Sequence, residues 1–292
     1  MGNILVGTCS WTDPALVAGG WYPSSAKDAE GRLRHYAGRF GLVEVDATYY
    51  GLPSRRNSEL WAARTPPGFV FDVKAFSLLT GHPTRIGSLP ASLRPPGAAG
   101  ARVRAGALPP DTVEEVWRRF SDALEPLRAA GRLGAVLMQF PPSLRPGPEA
   151  EGFVAECLER AGALGWRTAV EFRDPRWYAP EQCAGTASLA GRHGAALVAV
   201  DTAGGLPSSV PPVAVATVPE LAVVRFHGRS PHWGTGGKED AYRHRYTEEE
   251  LAGWVPRIRA LAERTEQVHV LFNNCCGDAA VSAAEAMEAL LG

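Results

Sequence analysis

Glu44, Asp46, Lys74, Glu171, Arg173, Arg225 and His227 stand at alternate positions of segments that are otherwise apolar. Carboxylates and an imidazole transfer protons, and guanidinium and ammonium groups bind anions. Side chains alternate across a strand, so in 42-LVEVDATYY residues Val43 and Val45 take one face while Glu44, Asp46 and Thr48 take the other. The segment 69-FVFDVKAF sets Phe69, Phe71 and Val73 against Asp72 and Lys74. In 168-TAVEFR, Val170 and Phe172 oppose Glu171 and Arg173; in 222-AVVRFHG, Val224 and Phe226 oppose Arg225 and His227. A parallel strand covered by helices on both faces should be a near-continuous apolar run. These four are not, so one face of each meets something other than helices.

Four further strand-like segments, 3-NILVGTC, 134-GAVLMQF, 196-ALVAVD and 267-QVHVLFN, end in Cys9, Gln139, Asp201 and Asn273. Helical patterns run over 31–40, 56–64, 111–130, 149–164, 180–193, 247–264 and 278–291, the third opening at Asp111 with Glu114 placed for a capping box. Alternating strands and helices predict an α/β fold. Eight strands in 292 residues suit a single-domain (β/α)₈ TIM barrel over 1–292, with the polar faces inside and the site at the C-terminal strand ends. A doubly wound open sheet is the rival. Two stretches break the scheme: 84–110, rich in Pro, Gly, Ala and Arg, reads as an irregular insertion serving as a lid or a mobile loop, and 202–220 replaces the sixth helix.

Inside such a barrel Lys74, Arg173 and Arg225 would surround one cavity and hold a phosphate or carboxylate. Glu44, Asp46, Asp72, Glu171 and Asp201 outnumber them if all are ionised and face inward, so an internal salt-bridge network competes with that role. Glu171 and His227 are the candidate proton-transfer pair, His227 because it ends its strand just before Gly228. Asp46, Gln139 and Asn273 would orient the substrate. Trp11, Tyr49, Trp177 and Trp233 follow strands and would ring the mouth, giving flat faces for a sugar or base, or packing loops onto the rim.

No cofactor is indicated. A divalent metal stays open on ligand type alone, with Asp46, Glu171, Asp201 and His227 as its set, although no short metal-binding spacing supports it. Cys9, Cys157, Cys183, Cys275 and Cys276 are odd in number without a CxxC spacing, which predicts free thiols, mostly buried. Net charge of −1 without a basic tract argues against a general nucleic-acid binder, and no apolar run is long enough for a membrane span. The N-terminus runs straight into a strand, which predicts a cytoplasmic protein. Nothing in the sequence speaks to oligomeric state.

The runs 7-GTCSW, 21-WYP, 43-VEVDATYY with Pro53, 61-W with 66-PPGFVFDVKA, 139-QFPPS, 170-VEFRDPRW, 225-RFHGR and 272-FNNC occur in the order seen in the YecE-like TIM barrels, domain-of-unknown-function family 72, which the chain resembles. The resemblance implies a (β/α)₈ barrel and brings no activity, cofactor or substrate with it. Such proteins usually carry Asn at the position of Asp46 and Phe at that of Tyr49, so Asp46 adds a negative charge beside Glu44. The residues themselves predict acid–base hydrolysis or isomerisation of a small anionic, ring-bearing compound such as a sugar phosphate or nucleotide. The alternatives are a metal-dependent phosphoesterase or nuclease and a ligand-binding or interaction barrel without turnover.

Overall fold

The computed structural model of the protein describes residues 1–235 and 237–292. Strand β1 (Asn3–Thr8) leads through α1 (Pro14–Ala18) and α2 (Ala29–Ala37) to β2 (Leu42–Val45), and α3 (Arg55–Arg64) leads to β3 (Val70–Lys74). An excursion carrying β4 (Thr84–Arg85) and β5 (Arg102–Val103) precedes α4 (Pro110–Ala129) and β6 (Leu133–Gln139). Then come α5 (Pro148–Ala163), β7 (Thr168–Glu171), α6 (Pro180–Arg192), β8 (Ala195–Leu197) and β9 (Ala199–Thr202). The chain passes to β10 (Ala222–Gly228) without a helix, as the Pro-rich link predicts, and finishes with α7 (Lys238–Tyr242), α8 (Glu248–Ala252), α9 (Val255–Ala262), β11 (Gln267–Phe272) and α10 (Ala279–Leu291).

Nine segments form one parallel sheet in the order β8-β7-β6-β3-β2-β1-β11-β10-β9. Its two ends, β8 and β9, are separated only by Val198, whose amide donates to the Val170 carbonyl at 2.9 Å. They are therefore one interrupted strand, and the sheet closes through Val198 into an eight-stranded TIM barrel. Among the described residues no helix is long and apolar enough to cross a membrane.

The alternation places the faces as expected. Outside, Phe226 stacks on Phe272 at 4.6 Å and meets the edge of Trp254, while Phe172 stacks on Trp177 at 4.2 Å. Inside, His269 Nδ1 lies 2.9 Å from Asp72 Oδ2, and the amide of Ala135 donates to Asp72 Oδ1 at 2.6 Å. Gly134 makes room for this pair, since a Cβ there would lie 2.3 Å from Asp72 Oδ1. Gly134→Ala should therefore cost about 1–3 kcal/mol, the usual range for overpacking a core. Urea denaturation checks this, and an unchanged midpoint would mean that the Asp72 side chain can give way.

Three local expectations need correction. Helix α4 starts at Pro110 after Pro109, with no side-chain cap, so Asp111 and Glu114 form no capping box; Thr247 and Glu250 do form one, opening α8. The helix expected over 247–264 is broken between α8 and α9, where Trp254 turns its indole towards Asp201 (2.6 Å). The 84–110 excursion is not irregular throughout but carries short elements, hydrogen bonds of its own and buried side chains. Its arginines satisfy turn carbonyls, Arg94 reaching Leu89 and Gly87 and Arg102 reaching Pro83, and its own Ile86, Leu89 and Leu108 are buried. None of its residues lines either of the two cavities at the barrel mouth, so it is not a lid over them.

Candidate functional site

Arg225, carried inward by β10, is the centre of the interior network and is fully buried. Its Nε and Nη2 donate to the two oxygens of Glu44 at 2.9 and 2.7 Å, a bidentate fork that fixes both planes. Its Nη1 donates to Glu171 Oε2. The other oxygen of Glu171 accepts from Gln139 Nε2 at 2.8 Å, from His227 Nε2 at 2.9 Å and from Arg173 Nη1 at 3.4 Å. Burial alone would raise the Glu171 pKa, but Arg225, His227 and Arg173 outweigh it and hold the carboxyl well below its usual range.

Asn273 Nδ2 lies 3.0 Å from His227 Nδ1. With the amide donating there, the ring proton sits on Nε2 and points at Glu171. Burial lowers the His227 pKa to about 4, against the pull of Glu171, so the imidazole is neutral at pH 7. Glu44 goes the other way: burial and the neighbouring charge of Asp46 raise it to about 7 despite Arg225 and Lys74.

Lys74 Nζ is 2.7 Å from Asp46 Oδ1 and 4.6 Å from the centre of the Tyr49 ring. Burial lowers its pKa, but Asp46 and Glu44 more than compensate, and the ammonium stays charged above its ordinary value. Three cations, Lys74, Arg173 and Arg225, thus face three carboxylates, Asp46, Glu44 and Glu171. The expected excess of carboxylates disappears because Asp72 pairs with His269 deeper in the barrel and Asp201 points out of it.

A cavity of about 530 Å³ opens above this network at the C-terminal strand ends, lined among others by Cys9, Asp46, Tyr49, Lys74, Gln139, Tyr242 and Asn273. Glu171, His227, Arg173 and Arg225 do not line it. Gln139 and Asn273 connect the two levels, each exposed to the cavity on one side and bonded to Glu171 or His227 on the other. A second cavity of about 380 Å³ beside it is walled by Trp11, Leu33, Leu60 and Trp61, and shares Ser10, Thr12, Asp46 and Ala47 with the first.

Of the four aromatic residues expected at the mouth, only Tyr49 lines the main cavity. Trp177 is wholly buried on Phe172 with its indole N–H on the Leu144 carbonyl at 2.8 Å, so it packs a loop and offers no stacking face. Trp11 meets Trp61 edge-on at 5.7 Å and faces the second cavity. Trp233 lies beneath the Arg173 guanidinium at 4.9 Å, supporting that cation from below.

The metal set is not assembled either. Asp201 accepts from Arg229, Tyr246 and Trp254 on the outer side of the barrel, away from Asp46, Glu171 and His227. Among the described residues no three His, Cys, Asp or Glu side chains are grouped to hold a metal ion. Cys9 is buried in the cavity wall 3.6 Å from Arg225 Nη2, and burial with the charge of Glu44 pushes its thiol well up, which leaves it a poor nucleophile. Of the five cysteines, Cys9 and Cys157 are buried, whereas Cys183, Cys275 and Cys276 are half-buried. The sequence reading missed Tyr242, whose hydroxyl lies 3.4 Å from both Nη atoms of Arg173. It sits on the short helix α7, where no alternation marks it.

A family model described as "Protein of unknown function DUF72" matches residues 5–292. UPF0759 protein YunF of Bacillus subtilis (strain 168) is 31% identical over 294 residues, covering 98% of this chain and 94% of that protein. A DUF72 family protein of Thermotoga maritima MSB8, solved by crystallography, matches with a TM-score of 0.77 at 28% identity over 99% of both chains. Another from Enterococcus faecalis V583 gives a TM-score of 0.78 at 23% identity, covering 100% of this chain and 98% of that one, a likeness of fold. From its motifs, its barrel and a family match that runs to the last residue, the chain belongs to the DUF72 family.

Proposed function

We propose that the main cavity binds a small anionic, ring-bearing compound such as a sugar phosphate, and that the protein is an acid–base enzyme acting on it by hydrolysis or isomerisation. The observation that carries this reading is Lys74, a charged ammonium in the cavity wall that is paired with Asp46 at 2.7 Å, with the amides of Gln139 and Asn273 in the same wall and the Tyr49 ring beside it. An anion placed there would meet a fixed cation at the end of a barrel strand, with amides to orient its hydroxyls. Glu171 and His227 enter this reading as positioning residues, because they hold Gln139 and Asn273 from behind and are both shielded from the cavity. Arg173 and Arg225 supply positive potential beneath the floor.

Titration with phosphate, sulfate and sugar phosphates should raise the melting temperature, a ligand at 100 times its Kd adding about 2.7 kcal/mol to native-state stability. Lys74→Met should abolish the shift. Protection by neutral sugars but by no anion would make Lys74 a structural cation. Protection by a sugar phosphate that is never converted to product would instead leave a ligand-binding barrel.

A further inference from the structure

Tyr242 ends α7 with its ring set edge-on against Trp233 at 5.3 Å and His227 at 5.9 Å. Its phenol oxygen is 3.4 Å from both Nη1 and Nη2 of Arg173, and the residue lines the main cavity together with Lys74. Arg173 is itself fixed, stacked on Trp233 at 4.9 Å and paired with Glu171 at 3.4 Å. The phenol therefore stands between a guanidinium held from two other sides and the cavity where a ligand would lie.

We propose that Tyr242 is the proton-transfer residue of the cavity, with Arg173 stabilising its phenolate. In the forward step the Oη–H bond breaks and an O–H bond forms on the leaving or carbonyl oxygen of the bound compound, leaving a phenolate against Arg173. The phenolate then takes a proton from the attacking water in hydrolysis, or from an acidic C–H or O–H of the same compound in isomerisation, so the residue ends as it began. The inference rests on the proposed anion-binding role of the cavity for its substrate.

The surroundings suit this role. Burial and the charge of Glu171 oppose the phenolate, but Arg173 and Lys74 outweigh them, and the Tyr242 pKa is lowered. His227, a titratable ring against it, is held neutral by burial. Tyr49, also in the cavity wall, goes the other way: burial raises its pKa despite Lys74.

Tyr242→Phe removes the hydroxyl and keeps the ring contacts. A near-ultraviolet pH titration of the protein minus that of Tyr242→Phe should show one phenolate forming below the ordinary tyrosine value of about 10. Sulfate should move that titration to higher pH, because a bound dianion disfavours a neighbouring phenolate. A phenol titrating at or above the ordinary value would overturn the proposal while leaving anion binding intact. Absence of thermal protection by sulfate in both proteins would overturn the anion reading and, with it, the substrate of Tyr242. Any sugar phosphate converted by the protein should be converted about 10²- to 10⁴-fold more slowly by Tyr242→Phe; equal rates would also overturn the assignment.

Discussion

Arg225→Met should destabilise the protein by about 3–5 kcal/mol at pH 7, the cost of removing one partner from a buried ion pair. The guanidinium is fully buried and supplies both bonds of a fork to Glu44 and one to Glu171. Its loss would leave two carboxylates in the barrel core facing each other without a cation between them. Methionine fills much of the vacated length, so the effect would be electrostatic more than a cavity. Adding Glu44→Gln and Glu171→Gln to Arg225→Met should then recover much of the loss, since neutral groups need no counter-charge. Urea denaturation of the single and triple variants decides the matter. A single variant within about 1 kcal/mol of the parent would show that the network contributes little, in the manner of exposed ion pairs.

The interior charges were legible because period-two alternation is strongest where one face must be apolar. Glu171, Arg225 and His227 each flank residues such as Val170, Val224 and Phe226 that belong in the helix layer, so only one orientation of the strand keeps both faces satisfied. Asp201 was misread for the opposite reason. Both faces of 196-ALVAVD are apolar, nothing in the pattern fixes which way the last residue points, and the interruption at Val198 breaks the alternation besides. Trp177 shows a different limit. An aromatic residue just after a strand can turn to the mouth or to the outer layer, and the stacking partner that decided it, Phe172, acts through packing that spacing does not encode. Tyr242 carried no signal at all, since its place in the cavity depends on how α7 packs against Arg173, which no alternation encodes.

The same alternation brings Glu44 and Glu171 to one guanidinium, and their environments drive them apart. Glu171 has four donors, whereas Glu44 has Arg225 and a like-charged neighbour in Asp46. An unfolded glutamate titrates near 4.3, while folded Glu44 titrates at about 7. Between these values the folded state keeps a proton that the unfolded chain has released, so Glu44 lowers stability progressively as pH rises through the window, and the loss is complete above it. Glu171 has the opposite sign: its depressed pKa contributes stability above the unfolded value that is lost only as pH falls through the folded one. Glu44→Gln removes the first effect and keeps the second. The stability of the variant minus that of the parent should therefore rise between about pH 4 and pH 7 by about 3 kcal/mol, at roughly 1.4 kcal/mol per pKa unit, and level off beyond. Any change in hydrogen bonding to Arg225 adds an offset at all pH values, so the slope carries the test and the intercept does not. Urea denaturation of both proteins from pH 4 to 8 measures it. A flat difference would mean that Arg225 keeps Glu44 ionised throughout, and the core would then hold three full ion pairs at every pH at which the protein works.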